Sequence, residues 1–457
     1  MAYQQQVNQV LSDLQSMEKS LSIDSSIQTI TPQWQPLHIG DLVAKVPIIQ
    51  GGMGVGVSLS SLASSVANEG GIGIIAANGI GLIEKDYYQD GQQANIRALR
   101  REIRQARQLS DGIIGVNIMV ALSDVEVLLQ VSIEERVDLI CMGAGLPIKN
   151  LPIKEIREHN IKVVPIVSSA RAIKMICSMW NKLYQDIPDA FVVEGPLAGG
   201  HLGFSEVQIN DPSYTLEKLV VECRSMLDEI DPSIPLIAAG GVYSGKDIHR
   251  MLALGAQGVQ MGTRFVATTE CDADEAFKQA YVNCTKDEIG LINSPVGLLG
   301  RAIRNQFISD SEEGKRPSFN CAWKCLSSCK AQDAHYCISI ALNNARRGYL
   351  KSGFVFCGTN AYRVKNIVSV STLMKTLFNE YQSSVMFSLS RIVAKFKESQ
   401  KHLKIVKSAY EEALLVVTQH TNRILDCKKQ YIRALSTFEQ RRISLIQLLY
   451  HSSLALV

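Results

Sequence analysis

The chain has 457 residues, of which 46% are hydrophobic and 20% are charged, and its formal net charge is +3. This composition supplies enough apolar material for a folded core and excludes intrinsic disorder over most of the length. A net charge this small gives no argument for nucleic acid as a partner, and none is expected.

The N-terminal part carries no chemistry of its own. Residues 1–38 are expected to form a polar helical segment, and they lack the basic-then-apolar order of a secretory signal. No uncharged apolar run of about 18 residues occurs in the sequence, so no membrane span is predicted. The protein is therefore expected to be cytoplasmic.

Eight short apolar runs follow in chain order. Each is nearly continuous in Val, Ile, Leu and Ala, as parallel strands buried on both faces are: Val46–Gln50, Ile72–Ala76, Ile113–Met119, Val137–Met142, Lys162–Val167, Ala190–Glu194, Pro235–Ala239 and Gly258–Gly262. Most begin about 23–27 residues after the previous run, the length of one strand, one helix and two loops. They predict an α/β fold, a (β/α)₈ TIM barrel, with an open doubly wound sheet as the alternative. The longer intervals after the second and sixth runs are the candidate lids.

Two further regions complete the predicted organisation. The barrel is assigned to residues 39–308, an irregular cysteine-containing elaboration to 309–363, and an all-helical basic extension to 364–457, which contains neither Gly nor Pro. Residues 366–457 hold 13 Lys and Arg against 6 Asp and Glu, a net charge of +7. A solvated helix face is the favoured interpretation, and binding of a protein partner, an anionic lipid or a second copy is the alternative.

Four of the eleven cysteines lie close together, namely Cys321, Cys325, Cys329 and Cys337. On a helix the first three would share one face, and gathered thiolates can ligate an iron–sulfur cluster or zinc. Their spacing differs from the common C-x₂-C pattern, so packing or redox-active thiols are favoured and no metal ligand is assigned.

Glycine-rich loops follow four of the predicted strands. Gln50–Gly56 follows the first, and Glu194–Gly203, which contains His201, follows the sixth. Ala238–Val242 and Gln260–Arg264 follow the last two. Barrel enzymes place catalytic groups at these strand ends and bind phosphate between the last two loops, where glycine amides are free to donate. His201 is therefore the candidate catalytic residue, because imidazole exchanges a proton near neutral pH, and a structural histidine that bonds the loop backbone is the alternative.

In these loops the sequence resembles the FMN-dependent nitronate monooxygenases, formerly called 2-nitropropane dioxygenases. This family shares its barrel with the flavin-containing enoyl-acyl-carrier-protein reductases. The resemblance runs from about Ile39 to Ile308 and rests on five motifs in order: PIIQGGMG, GVNIM, EGPLAGGHLG, PLIAAGGV and GVQMGTRF.

The resemblance implies FMN as cofactor and assigns residues to it. Those implied to meet or line the flavin are Gly52, Met53, Asn117, Glu194, Gly199, Gly200, Gly240 and Gly241. Those implied to wrap the phosphate are Gln260, Met261, Gly262 and Thr263. His201 matches the family histidine that acts as a base or orients the substrate, and a partly charged imidazole is expected to help hold an anionic substrate.

The implied activity is oxidation of an alkyl nitronate with O₂ to a carbonyl compound and nitrite. The alternative is an NAD(P)H-dependent enoyl reductase acting on an enoyl thioester in fatty-acid or polyketide synthesis. Glu194 leaves both open, because many monooxygenases carry Gln at this position and the reductases often carry Glu. A non-enzymatic alternative is a flavin-binding scaffold that recruits a partner through its helical extension.

Overall fold

The computed structural model describes residues 32–315, 319, 321, 323–327, 329–332, 334–415 and 421–453. Residues 1–38 are the segment predicted to be helical. Residues 1–31 of it lie outside the described residues. Its end, from Leu37, belongs to a strand. Contacts divide the chain into two units, Trp34–Ser384 and the remainder.

Eight parallel strands close a barrel in sequence order, so the predicted TIM barrel is confirmed. The barrel strands are β3 (Ile48–Gln50), β4 (Ile72–Ala76), β5 (Ile113–Met119), β6 (Leu139–Gly143), β7 (Lys162–Val167), β8 (Phe191–Glu194), β10 (Leu236–Ala239) and β11 (Gly258–Met261). All five residues of β4 and all five of β6 are buried, as expected for strands covered on both faces. The open-sheet alternative is wrong because β8 pairs with β10, and β11 pairs with β3.

Helices follow the barrel strands along the chain. They are α1 (Ser60–Asn68), α2 (Gly91–Leu109), α3 (Val125–Glu134), α4 (Ile153–Glu158), α5 (Ala170–Tyr184), α6 (Glu206–Asn210), α7 (Leu216–Ile230), α8 (Gly245–Ala253) and α9 (Thr263–Val266), with 3₁₀ turns at Ile80–Ile83 and Pro212–Tyr214. Asp272 stabilises the start of α1, since its Oδ2 accepts hydrogen bonds from the Leu59 and Leu62 amides at 2.8 and 3.3 Å.

A small hairpin closes the amino end of the barrel. It consists of β1 (Leu37–Ile39) and β2 (Leu42–Ala44), paired antiparallel. Leu37 and Ile39 are fully buried in the apolar cluster that fills the barrel. At this end Lys162, the first residue of β7, pairs with Asp41 at 2.5 Å. The hairpin does not cover the opposite end of the barrel, where the strands finish, so a ligand site can lie there.

A second sheet lies beyond the barrel. It contains β12 (Ile289–Asn293), β13 (Leu299–Ile303) and β14 (Val355–Phe356), and β13 also pairs with β9 (Gly200–His201), which belongs to the loop after β8. The helices here are α10 (Glu275–Asn283), α11 (Gln306–Glu312) and α12 (Ile338–Arg346), with 3₁₀ turns at Leu350–Ser352 and Ala361–Arg363. The loop after β8, Glu194–Gly203, is called the histidine loop because it contains His201. The sheet therefore ties this loop to residues almost one hundred positions downstream.

Two long helices end the described chain, α13 (Val370–Leu415) and α14 (Thr421–Ser453), as the sequence predicts. Within the second unit they pack antiparallel around Phe396 and Phe438, whose ring centroids are 4.6 Å apart. Lys397, Lys401 and Lys404 are exposed, which fits a solvated basic face. No helix within the described ranges combines the length and the apolarity that crossing a membrane requires.

Candidate active site

A cavity of about 330 Å³ lies at the carboxyl ends of the barrel strands. Ala239 in β10 is in register with Glu194 on one side and Gln260 on the other, so the glycine-rich loops converge here. All thirteen residues singled out from the sequence line this cavity: Gly52, Met53, Asn117, Glu194, Gly199, Gly200, His201, Gly240, Gly241, Gln260, Met261, Gly262 and Thr263. A barrel enzyme carries its active site at this position.

Main chain replaces side chains along one wall of the cavity. A Cβ added at Gly52 would lie 2.4 Å from Asn117 Cβ, and one added at Gly199 would lie 2.4 Å from the Cys357 carbonyl carbon. Gly240 has φ +85°, and its Cβ would lie 2.6 Å from the Gly195 carbonyl oxygen. A Cβ at Gly262 would meet nothing nearer than Met53 Sδ at 3.7 Å, so the space above this residue is free. The wall can therefore present peptide groups to a flat ligand.

His201 is held by both its main chain and its ring. It pairs with Gly300 across the β9–β13 ladder, and its Nε2 is 2.8 Å from Ser294 Oγ. The Phe356 ring meets the imidazole edge to face at a centroid distance of 5.2 Å. Because a hydroxyl can donate or accept, Ser294 satisfies either neutral tautomer.

Burial shifts the pKa values of the two titratable groups from the histidine loop in opposite directions. It lowers the pKa of His201 from 6.5 to about 4 and raises the pKa of Glu194 from 4.5 to about 7. The expectation of a partly charged His201 is therefore wrong, since the surroundings disfavour imidazolium and the ring is neutral at pH 7. The Glu194 carboxyl is the group that changes protonation near neutrality.

Several cavity residues escaped the sequence analysis, and four of them come from the segment around β14: Phe356, Cys357, Gly358 and Asn360. Gly358 donates its amide to Thr263 Oγ1 at 3.0 Å, and Asn360 Nδ2 donates to the Gly241 carbonyl at 2.7 Å. The hydrogen-bond partner of His201, Ser294, also escaped, because it lies 93 positions from that histidine. One signal was present: the apolar run Phe354–Cys357 ends in Gly-Thr-Asn, as a strand before a functional loop does.

Arg301 holds the main chain of the histidine loop through hydrogen bonds. Its side chain is 6% exposed, and Nη1 donates to the Pro196 and Ala198 carbonyls at 2.7 and 2.6 Å.

We expect Arg301→Met to lower the free energy of unfolding by about 3 kcal/mol, because two buried carbonyls lose a charged donor. Denaturant unfolding measures this effect. Arg304→Met is the matched control, since Arg304 pairs with Glu312 at the surface, and a loss of about 1 kcal/mol or less is expected. Equal losses in both variants would contradict the supporting role.

The cysteine-rich segment is not helical between residues 321 and 332, as far as these positions are described, so the helical face considered for Cys321, Cys325 and Cys329 is not formed. Cys321 is exposed, and Cys325, Cys329 and Cys337 are half-buried. Among the described residues, no three His, Cys, Asp or Glu side chains are arranged to hold a metal ion. Cys325 instead lines the cavity.

Comparisons with known proteins agree with this geometry. The family model described as "Nitronate monooxygenase" matches residues 36–380. A "Probable nitronate monooxygenase" of Staphylococcus aureus (strain MSSA476) is 29% identical over 316 residues, covering 61% of this chain and 81% of the relative. The structure of FabK from Thermotoga maritima has a TM-score of 0.59 at 28% identity, covering 74% of this chain and 94% of that chain.

A nitroalkane oxidase from Streptomyces ansochromogenes has a TM-score of 0.57 at 22% identity, covering 74% of this chain and 96% of that chain. At this identity the likeness concerns the fold.

Proposed function

Because the chain belongs to the nitronate monooxygenase family, and with it to the FMN-dependent oxidoreductases, we propose that it oxidises alkyl nitronates with O₂ to carbonyl compounds and nitrite. The observation that carries this proposal is the neutral imidazole of His201, which lies in the same cavity as the glycine-rich wall. The family model and the curated relatives support it.

The residues present fit FMN. Gly52, Met53 and Asn117 would meet the flavin, with Glu194, Gly199, Gly200, Gly240 and Gly241 lining it, and Gln260, Met261, Gly262 and Thr263 would hold its phosphate. The free space above Gly262 and the wall of peptide groups support this assignment, since main-chain amides donate hydrogen bonds to phosphate oxygens. Bound FMN supplies the redox chemistry, and the protein supplies position and electrostatics.

His201 acts on the substrate in its neutral form. When Ser294 Oγ donates to Nε2, the ring proton sits on Nδ1 and can be donated to a nitronate oxygen. In the other tautomer Nδ1 carries a lone pair, but taking a proton there would form the imidazolium that burial disfavours, so orienting the substrate is the role that the geometry supports. Ser294 fixes the plane of the ring in either tautomer.

A second candidate is the NAD(P)H-dependent enoyl reductase, and Glu194 is the observation that favours it. The resemblance associates glutamate at this position with the reductase branch. Burial raises the pKa of its carboxyl to about 7, so this group changes protonation near neutral pH. The comparisons give no support to the scaffold alternative or to a partner for the helical extension.

One pair of assays separates the two activities. We expect the purified FMN-loaded protein to release nitrite from propyl-1-nitronate in air without any nicotinamide cofactor. We also expect anaerobic NADH or NADPH to leave the flavin absorbance unchanged over several turnover times. Rapid bleaching by either nicotinamide, without nitrite release, would refute the proposal in favour of the reductase.

A further inference from the structure

One wall of the cavity is contributed by a segment outside the barrel, and this wall is apolar. Leu326, Ile338 and Leu342 line it, together with Leu122 from the loop after β5. Leu326 is 7% exposed and Ile338 6%, whereas Leu342 is half-buried. Ile338 and Leu342 are four residues apart in α12 and so lie on one face of that helix.

Main-chain hydrogen bonds hold this wall against the barrel. The Ser123 amide donates to the Cys325 carbonyl at 3.1 Å, and the Ser327 amide donates to the Ala121 carbonyl at 2.9 Å. Leu122 and Leu326 form an antiparallel bridge between these two bonds. The segment is therefore a built part of the cavity.

The polar groups on this wall already have partners. Cys325 Sγ and Ser339 Oγ are 3.5 Å apart, and both residues line the cavity. Burial raises the pKa of the Cys325 thiol, which keeps it uncharged at neutral pH. A ligand that covers this surface gains from apolar contact and finds no charged group there to pair with.

We propose that this apolar wall, formed by Leu122, Leu326, Ile338 and Leu342, binds the alkyl chain of the substrate. The preferred substrates are then nitronates whose chain extends several carbons beyond the nitronate carbon. This inference rests on the proposed function, since it names the substrate class for the same site. The glycine-rich wall and His201 recognise the reacting end, and the wall from the cysteine-rich segment recognises the tail.

Chain length gives the first test. Burying one methylene raises kcat/KM by about fourfold when the contact is complete. We expect hexyl-1-nitronate to exceed propyl-1-nitronate in kcat/KM by at least about tenfold. Hexanoate should also bind more tightly than propanoate in calorimetric titration, since a carboxylate resembles a nitronate in shape and charge.

Variants of one helix give the second test. Leu342→Ala should remove most of the preference for the longer substrate, measured as the ratio of kcat/KM for hexyl-1-nitronate to kcat/KM for propyl-1-nitronate. Leu342→Phe, whose larger side chain occupies space along the wall, should lower kcat/KM for the hexyl substrate more than for the propyl substrate. Ile340→Ala is the matched control, because Ile340 is also half-buried in α12 but does not line the cavity. It should keep the wild-type ratio.

The outcomes separate this inference from the proposed function. Equal kcat/KM for both nitronates in the wild-type protein, or an unchanged ratio in both Leu342 variants, overturns the apolar wall as the chain site while nitronate oxidation stands. Absence of nitrite from either substrate overturns the proposed function, and the carboxylate affinities then still report whether the wall binds an alkyl chain.

Discussion

His201→Ala should lower kcat/KM for an alkyl nitronate by about 100-fold or more while FMN remains bound. The imidazole is the group in the cavity that carries a ring proton and a lone pair at neutral pH, because burial lowers its pKa to about 4. Its removal leaves the glycine-rich wall intact. Nitrite release measures the loss, and the flavin absorbance of the purified variant checks that the cofactor is retained.

Ser294 provides the control for orientation. Ser294→Ala removes the 2.8 Å partner of Nε2, so we expect kcat to fall by roughly tenfold. Ser294→Thr keeps the hydroxyl and should restore most of the activity. Full activity of His201→Ala would refute the catalytic role, and identical kinetics for the Ala and Thr variants would refute the role of the hydroxyl.

The protonation state of His201 can be measured directly by NMR of histidine-labelled protein. The signal that disappears in His201→Ala should titrate near pH 4. The ring is then neutral from pH 8 down to about pH 5 and gains a proton only as the pH falls through 4. Activity changes near pH 7 would then come from Glu194, whose pKa is raised to about 7. A midpoint near 6.5 for His201 would contradict the neutral form.

Gly240→Ala should produce a protein that no longer retains FMN, with a Kd at least about 100-fold higher, equivalent to about 2.7 kcal/mol. The new Cβ would meet Gly195 oxygen at 2.6 Å and Gly195 nitrogen at 2.7 Å, and neither main-chain atom can move without shifting the histidine loop. The φ of +85° adds strain of roughly 1–3 kcal/mol. Flavin content after purification and fluorescence titration with FMN measure the effect.

Gly297→Ala is the matched control for Gly240→Ala. Gly297 has φ +80°, but a Cβ at this position would meet nothing within 4 Å. It should therefore show the backbone strain alone, as a small loss of unfolding free energy, and keep its FMN. Similar FMN affinity in the two variants would mean that the close approach of Gly240 to Gly195 is unimportant for the cofactor.

The barrel could be predicted because its strands are buried on both faces. Continuous apolar runs such as Ile72–Ala76 and Lys162–Val167 can be identified in the sequence without knowing which strands they pair with. Their observed bounds match the predicted ones. At β3 the strand begins two residues later than predicted, since Val46 and Pro47 lie before the ladder. Glycine-rich loops at the strand ends, together with the family resemblance, then located thirteen cavity residues.

The second sheet and its contribution to the cavity could not be predicted in the same way. β9 and β14 contain two residues each, too few for a periodic pattern. The Ser294 hydroxyl and the Arg301 guanidinium act on a loop that is about one hundred positions away in sequence. The pKa of His201 depends on burial by those distant segments, which explains why a partly charged ring was expected from the local sequence alone.

Pairing of β9 with β13, together with the bonds of Gly358 and Asn360 to the last two barrel loops, has a consequence for biosynthesis. During translation the eight barrel strands have all left the ribosome about one hundred residues before Asn360 does. At that point the side of the cavity formed by Gly358 and Asn360 has not yet been synthesised. The cavity can therefore be complete only after this downstream polypeptide has been made.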